Sequence, residues 1–347
     1  MGKKYYIERN FKNTQKINEL EKELPDFCSE FLLGIEPRTS VLTRLNYAYD
    51  LKVFFEYVSQ NVLNKEIKAI TLDDLDKITQ TDLEKYLAYL SYYKDEEGKI
   101  HTNKDYSRAR RLASIRAMYK YFFNKDKIRA NVAAKISFPK IHEKEIIRLE
   151  PNEVAEILDQ SEYGDELSEH QKHFHSKTRY RDLAILTLFL GTGIRISELV
   201  GLNIEDIDFE SNAFTVIRKG GNSTILYFSD EVAKALKKYL EQRLSIPDVP
   251  QEERALFLSM QNKRISVRAV QNLVTKYARI VSPLKKITPH KLRSTFGTEL
   301  YRATGDIYIV ADVLGHSDVN TTKKHYAAID TDIRKSAVRK VVLRDDD

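Results

Sequence analysis

One hexapeptide decides how the second half of this chain is interpreted: TPHKLR, residues 288–293. Thr288 is a good helix N-cap and Pro289 suits the first helical position, so a helix is predicted to begin here. His290 and Arg293 then lie one turn apart, close to the helix N-terminus. Backbone N–H groups and the positive end of the helix dipole favour an anion at such a place. The stretch therefore predicts a phosphate-binding helix start.

A second basic residue lies at a predicted break between two helices. The apolar segment from Asp182 to Leu190 predicts a helix, and the sequence GTGIRISEL, residues 191–199, follows it directly. Glycines end one helix and let the next begin, so Arg195 is expected at a tight, buried corner. Glu198, one turn on, can hold the guanidinium by a charge-assisted hydrogen bond. The alternative is an ordinary surface salt bridge.

Two alternating, β-prone segments come next, and they predict a hairpin. They run from Ala213 to Arg218 and from Thr224 to Phe228, with residues 219–223 as the turn. Lys219 is then at the hairpin tip, where its ammonium could reach a substrate. The alternative is a solvated lysine in a turn.

Length indicates two domains, and the uneven charge suits a polyanionic partner. A chain of 347 residues is too long for one typical core. Residues 101–148 hold 13 Lys and Arg against four Asp and Glu, a net charge of +9, whereas the net charge of the whole chain is +6. Such a stretch suits a polyanion lying across a domain junction, and the alternative is a solvated basic face. No apolar run reaches the ~20 residues of a membrane span, and a cytoplasmic location is expected.

Residues 39–123 are predicted to form a compact helical unit. Apolar residues recur at helical spacing in three segments, the second of them behind a predicted capping box at Thr81 and Glu84. Four basic residues of the third helix lie away from its apolar positions and are predicted to meet DNA phosphates. They are Lys104, Arg108, Arg111 and Lys120. Residues 124–148, basic and without a sustained period, are the predicted boundary between domains.

A polar stretch, residues 161–178, is predicted to be a mobile surface insertion. It contains His170, His173 and His175, a spacing that raises the possibility of zinc. The only cysteine of the chain, Cys28, is far away in sequence, and no fourth ligand is evident. No metal site is predicted.

Four motifs in this order resemble the catalytic boxes of the tyrosine recombinase (phage integrase) family, and the general pattern is that of Xer-like bacterial recombinases. They are residues 193–199, residues 290–293, the sequence Leu314-Gly315-His316, and Tyr326. The resemblance implies a mainly α fold: an N-terminal helical, SAM-like core-binding domain and a C-terminal α+β catalytic domain with a small antiparallel sheet. The expected divisions are an N-terminal extension (1–38), the core-binding domain (39–123), a basic linker (124–148), the catalytic domain (149–330) and a C-terminal exchange segment (331–347).

The resemblance also implies a role for each candidate residue. Tyr326 attacks the scissile phosphate and becomes linked to its 3′ side, and Lys219 protonates the leaving 5′-oxygen. Arg195 and Arg293 stabilise the charge of the transition state, which suits their fork of donors. His290 accepts or shuttles a proton, and His316 donates a hydrogen bond to the phosphate. No metal or nucleotide cofactor is expected, because cationic side chains supply the charge and the phosphotyrosine conserves the bond energy.

The function implied is site-specific recombination through a Holliday junction, either in Xer-type chromosome dimer resolution or in integration and excision of a mobile element. The alternatives are a DNA-relaxing topoisomerase of the same chemistry and a catalytically silent DNA-binding protein. The expected partners are double-stranded DNA with inverted-repeat half-sites, three further protomers in a tetramer on two DNA sites, and an accessory DNA translocase or directionality factor. The expected location is the nucleoid of a bacterial cytoplasm. One departure from the family is that nine residues, 317–325, separate His316 from Tyr326 where eight are usual.

Overall fold

The computed structural model describes residues 3–94, 98–140, 147–218, 221–315 and residue 319. The described residues fall into two compact units, which divide between Lys144 and Glu145. Both are mainly helical, and each carries a small antiparallel sheet. Over the described ranges, no helix is long and apolar enough to cross a membrane.

The first unit is a helical bundle with one short hairpin. Its elements are α1 (Lys3–Glu21), α2 (Phe27–Gly34), α3 (Val41–Val58), α4 (Leu72–Leu75), α5 (Gln80–Tyr89), β1 (Tyr92–Lys94), β2 (Ile100–Thr102) and α6 (Asp105–Phe123).

The core of this unit extends beyond residues 39–123 on both sides. Leu24 and Phe31, from the segment that precedes residue 39, are fully buried in the same apolar cluster as the phenylalanines of α3. Ala133 and Ile136, which follow α6, are buried there too. The side chain of Arg116 donates to the carbonyl oxygens of both residues, at 3.0 and 2.9 Å. These flanking segments therefore fold as part of the bundle.

The start of α5 differs from the sequence expectation. Its N-cap is Thr79, whose hydroxyl accepts from the backbone N–H of Asp82 at 3.2 Å while the Asp82 carboxylate accepts from the N–H of Thr79 at 2.9 Å. The predicted capping box at Thr81 and Glu84 is wrong by two residues. Both pairs have a threonine followed three residues later by an acid, and spacing alone does not distinguish them.

The second unit surrounds one long helix. Its elements are α7 (Pro151–Glu162), α8 (Glu169–Thr192), α9 (Ile196–Gly201), β3 (Ile207–Asp208), β4 (Ala213–Ile217), β5 (Ser223–Tyr227), α10 (Asp230–Leu244), α11 (Val267–Val281), α12 (Pro289–Thr304) and α13 (Ile307–Leu314).

Helix α8 packs against α7, α10 and α12. The three strands pair in the order β3-β4-β5, all antiparallel, with Ala213 opposite Tyr227 and Ile217 opposite Ser223. The predicted hairpin is thus confirmed, with strand ends that agree within one residue.

The prediction of a surface insertion at residues 161–178 is wrong in part, because several of these residues are buried and more than half of the stretch is helical; its mobility stays a prediction. From Glu169 onward this stretch is the first half of α8, capped by Ser168. His175 is buried, and its Nε2 lies 3.0 Å from the carbonyl oxygen of Ser161. The polar composition concealed this burial, although Ser168 and Gln171 have the spacing of a capping box. Among the described residues, no cluster of three or more His, Cys, Asp or Glu side chains is suitably placed to hold a metal.

Candidate active site

Arg195 lies at the sharp turn between α8 and α9. Helix α8 ends at Thr192, and Gly193 adopts a left-handed conformation with φ of +61°. A Cβ at Gly193 would lie 2.5 Å from the ring of Phe296 and 2.8 Å from the side chain of Leu314. Glycine is therefore required both for the backbone conformation and for the close approach of α12 and α13. Arg195 follows as the N-cap residue of α9.

Glu198 fixes both ends of Arg195. Its carboxylate accepts a hydrogen bond from the Arg195 backbone N–H and another from Nη1 of the guanidinium, each at 2.9 Å. The Glu198 side chain is 4% exposed, whereas that of Arg195 is 35% exposed. A pair with one buried carboxylate is not an ordinary surface salt bridge. The geometry therefore favours the interpretation that Glu198 holds the Arg195 guanidinium by a charge-assisted hydrogen bond. The guanidinium is held in place while part of it faces solvent.

Helix α12 begins as the hexapeptide predicts, with Thr288 as the N-cap and Pro289 as the first helical residue. His290 is exposed in the first turn, whereas Arg293 is only 5% exposed. The Arg293 guanidinium donates from Nη1 to the carbonyl oxygen of Gly193 at 2.5 Å, and from Nη2 to that of Leu314. Arg293 therefore ties the end of α8 to the end of α13.

The two candidate arginines meet at the C-terminal end of α13. Arg195 donates from Nη2 to the carbonyl oxygen of Gly315 at 2.8 Å, next to the Leu314 carbonyl that Arg293 contacts. The last carbonyl groups of a helix have no intrahelical partners and form the negative end of its dipole, so cations are favoured there. His316 is the next residue in the chain. Two guanidinium groups are thus fixed beside the residue that precedes it.

A third arginine, which the sequence analysis did not single out, reaches the same helix end. Arg218 follows β4 and donates from Nη2 to the carbonyl oxygen of Val313 at 2.8 Å and from Nη1 to that of Asp312 at 3.4 Å. Burial lowers the pKa of the Arg218 guanidinium, an effect that Glu198 opposes and Arg195 reinforces. The one feature of the sequence that could have drawn attention to Arg218 is its position beside Lys219. Nothing in the local sequence indicates that the Arg218 side chain reaches α13.

Three of the predicted catalytic residues, Lys219, His316 and Tyr326, lie outside the described residues, as does the predicted exchange segment 331–347. Their roles stay predictions. Of the predicted site residues, the structure describes Arg195, Glu198, His290 and Arg293, and among these Arg195 and Arg293 meet Arg218 at the end of α13.

The four predicted DNA-binding residues, three on α6 and Lys104 directly before it, fall into two groups. Lys104 and Lys120 are exposed. Arg108 donates to the hydroxyl of Ser91 at 3.0 Å and pairs with an acid of its own helix. Arg111 donates to the hydroxyl of Tyr93 at 3.2 Å and lies over its ring. Both arginines have polar partners within their own unit, so the lysines are the more available to a phosphate.

Comparison with known proteins agrees with this geometry. Residues 148–332 match the Phage integrase family, and residues 30–125 match the Phage integrase, N-terminal SAM-like domain. The chain is 31% identical to Tyrosine recombinase XerC of Leptospira interrogans over 92% of this chain and 96% of that protein. It is 35% identical to Tyrosine recombinase XerC of Caldanaerobacter subterraneus over 84% of this chain and 79% of that protein.

Among solved structures, the Tn1549 transposon integrase in complex with circular intermediate DNA is 20% identical, covers 90% of this chain and 98% of its own, and superposes with a TM-score of 0.64. At that identity the likeness concerns the fold alone. The family match covers more than half of the chain, and two arginines of its motifs meet at one helix end. The chain belongs to the phage integrase family of tyrosine recombinases.

Proposed function

We propose that this chain is a site-specific DNA recombinase that cuts and rejoins DNA through a 3′-phosphotyrosine at Tyr326 and a Holliday junction. The observation that carries the proposal is the convergence of Arg195 and Arg293 at the end of α13, directly before His316. Two oriented guanidinium groups match the two non-bridging oxygens of a phosphodiester. A binding-only protein has no need to fix two arginines beside a histidine and a downstream tyrosine.

Arg195 is suited to hold the scissile phosphate. A guanidinium has five N–H donors, and the described contacts of Arg195 occupy two of them, with Glu198 and the Gly315 carbonyl as acceptors. The remaining donors belong to a side chain that is 35% exposed. Glu198 prevents the arginine from turning away when no DNA is bound. This preorganisation is the form of electrostatic catalysis in which a fixed donor meets developing charge.

In the proposed reaction, the phenolic oxygen of Tyr326 forms a bond to phosphorus and the bond from phosphorus to the 5′-oxygen breaks. His290 accepts the phenolic proton, and Lys219 gives a proton to the 5′-oxygen. Arg195, Arg293 and His316 stabilise the extra charge on the phosphoryl oxygens. Attack by a 5′-hydroxyl of the partner strand reverses these steps and completes the strand exchange.

The proposed partners are double-stranded DNA with inverted-repeat half-sites and three further copies of the chain, acting on two sites in a bacterial nucleoid. The integrase of known structure was solved with DNA, which supports the first of these. A DNA translocase or directionality factor would select the reaction direction. An inverted-repeat core beside the gene would indicate integration and excision, whereas one at the replication terminus would indicate chromosome dimer resolution.

A nicked suicide substrate tests the chemistry. The wild-type chain should form a denaturation-resistant DNA adduct that chelators do not prevent, and Tyr326→Phe should bind the same DNA without forming it, because only the phenolic oxygen is removed. An adduct with Tyr326→Phe rejects the nucleophile, and no adduct with the wild type favours the silent binding protein. Holliday junctions from two-site substrates separate recombinase from topoisomerase.

The tetramer has its own test. In the sequence of residues 331–347, apolar residues recur at helical spacing, and we propose that this segment is donated to a neighbouring protomer; they are Ile333, Ala337, Val338, Val341 and Val342. Truncation after Asp330 should leave a folded monomer that occupies one half-site but loses cooperative binding and strand exchange. A truncated chain that still recombines would refute the exchange, and one that unfolds would indicate docking of the segment on its own catalytic unit.

A further inference from the structure

The end of α13 is contacted not only by the two family arginines but also by Arg218, which belongs to the β4–β5 hairpin. We propose that Arg218 is a positioning residue that anchors this hairpin, and with it Lys219, to the helix end that precedes His316. The inference rests on the proposed function, because it assigns Arg218 a role in presenting the lysine that protonates the leaving oxygen.

The anchor consists of two hydrogen bonds to consecutive carbonyl groups. Nη2 of Arg218 lies 2.8 Å from the carbonyl oxygen of Val313, and Nη1 lies 3.4 Å from that of Asp312. The guanidinium also covers Gly315, since a Cβ built there would overlap Nη1 of Arg218. Gly315 has φ of +60°. Glycine at this position therefore suits the end of the helix and leaves room for the arginine.

The backbone of Arg218 transmits this anchor to the turn. Its N–H donates to the carbonyl oxygen of Asn222 at 2.9 Å, and its carbonyl oxygen accepts from the N–H of Gly221 at 3.0 Å. Lys219 is the next residue in the sequence and is joined to Arg218 by one peptide bond. The residue that closes the turn by its backbone is thus the one that joins the turn to α13 by its side chain.

Charge explains why an arginine serves here. The carbonyl groups of residues 312–315 are the last acceptors of α13, and Arg218, Arg293 and Arg195 together donate to all four. Of the three, Arg218 alone comes from the hairpin. A lysine could reach one carbonyl but not two with a fixed planar fork. Among the described residues of the turn, 218 and 221–223, Arg218 is the one whose side chain hydrogen-bonds to a helix.

The test compares two leaving groups. On ordinary suicide DNA, Arg218→Ala and the neutral, longer Arg218→Met should cleave about 10- to 100-fold more slowly than wild type, the scale of a misplaced catalytic group. On DNA with a 5′-bridging sulfur, which leaves without a proton, both should return to within about threefold of the wild-type rate. On ordinary DNA, the cleavage rate of Arg218→Lys should lie between those of Arg218→Ala and the wild type. Arg302→Ala, which removes a surface arginine paired with Glu299, is the matched control and should cleave both substrates normally.

A purely structural role makes a different prediction, because it slows cleavage of both substrates equally; that result overturns the proposal, as does a normal rate on ordinary DNA. In a Lys219→Ala background, Arg218→Lys should add less than about a twofold defect, since the two residues act in one step. A full additional loss there would also overturn it, and this arm remains decisive if Arg218→Ala does not fold. If the wild-type chain forms no adduct at all, the proposed function is rejected as a whole. If the wild type forms the adduct but the Arg218 variants give either of the overturning results, only the role of Arg218 is rejected.

Discussion

Arg293 is expected to support both catalysis and the stability of the second unit, and Arg195 only catalysis. Arg293 is 5% exposed and joins two carbonyl groups, those of Gly193 and Leu314, which belong to segments 100 and 21 residues away in the chain. Arg293→Ala leaves both acceptors without this donor inside the protein. Each lost hydrogen bond to a charged group costs about 1.5–3 kcal/mol, and entry of water reduces the sum. We therefore expect a loss of about 3 kcal/mol.

A loss of that size lowers the unfolding temperature of a unit of this length by roughly 6–12 °C. Arg195→Ala should lower it far less, because that side chain is 35% exposed and its carboxylate partner keeps the backbone N–H. Both variants should slow cleavage by at least ~100-fold. Arg293→Lys, which keeps the charge but loses the fork, should recover part of the stability and little of the activity.

Scanning calorimetry of the full chain, together with single-turnover adduct formation, measures the two effects separately. DNA affinity should change little in either variant, because other basic residues hold the backbone. An Arg293→Ala protein as stable as wild type would refute the structural role of the two carbonyl contacts. Losses confined to DNA affinity would show that the arginines position DNA rather than stabilise the transition state.

Three further predictions follow from described contacts. Glu198→Gln should slow cleavage about tenfold with unchanged DNA affinity, because the amide keeps one acceptor but loses the charge that orients the guanidinium; a loss of affinity alone would contradict this. Hydrogen bonds from two lysines hold the pKa of Asp74 well below its usual range, so its contribution to stability is present above about pH 4 and is lost as the pH falls through the folded-state pKa. The free energy of unfolding of Asp74→Asn, measured with urea, should accordingly depend less on pH over that acid range than that of the wild type. If the two free energies changed in parallel with pH, the effect would be excluded. Gly315→Ala should displace the Arg218 guanidinium, and it should therefore cleave ordinary DNA slowly and DNA with a 5′-bridging sulfur at nearly the wild-type rate, as expected for Arg218→Ala. A normal rate on ordinary DNA would count against the close packing of Arg218 on Gly315.

Local features of the second unit could be predicted because their causes are local. The N-cap threonine and the proline that starts α12 are adjacent in sequence, and the alternating residues of the hairpin show their pattern within a few positions. The corner at Gly193 follows from a residue that tolerates positive φ. In each case a short stretch contains both the signal and the structure that it predicts.

Polarity was a poor guide where a polar side chain is buried with a partner. His175 lies in a stretch interpreted as a surface insertion, yet its ring meets a backbone carbonyl and is covered. Arg108 and Arg111 are half-buried and have partners within their own unit, and their contact with DNA stays a prediction. Composition reports which groups need a hydrogen bond, but not whether water, DNA or the protein itself provides it.

The amino-acid sequence by itself determined the family motifs, the helix that begins at Pro289, the β4–β5 hairpin and the pairing of Arg195 with Glu198. The tertiary structure alone decided that Arg195, Arg218 and Arg293 meet at the end of α13. The physical reason is that their acceptors are backbone carbonyl groups, which every residue possesses. Which carbonyl groups are left at a helix end, and which distant side chains reach them, depends on how α8, α12, α13 and the hairpin pack together.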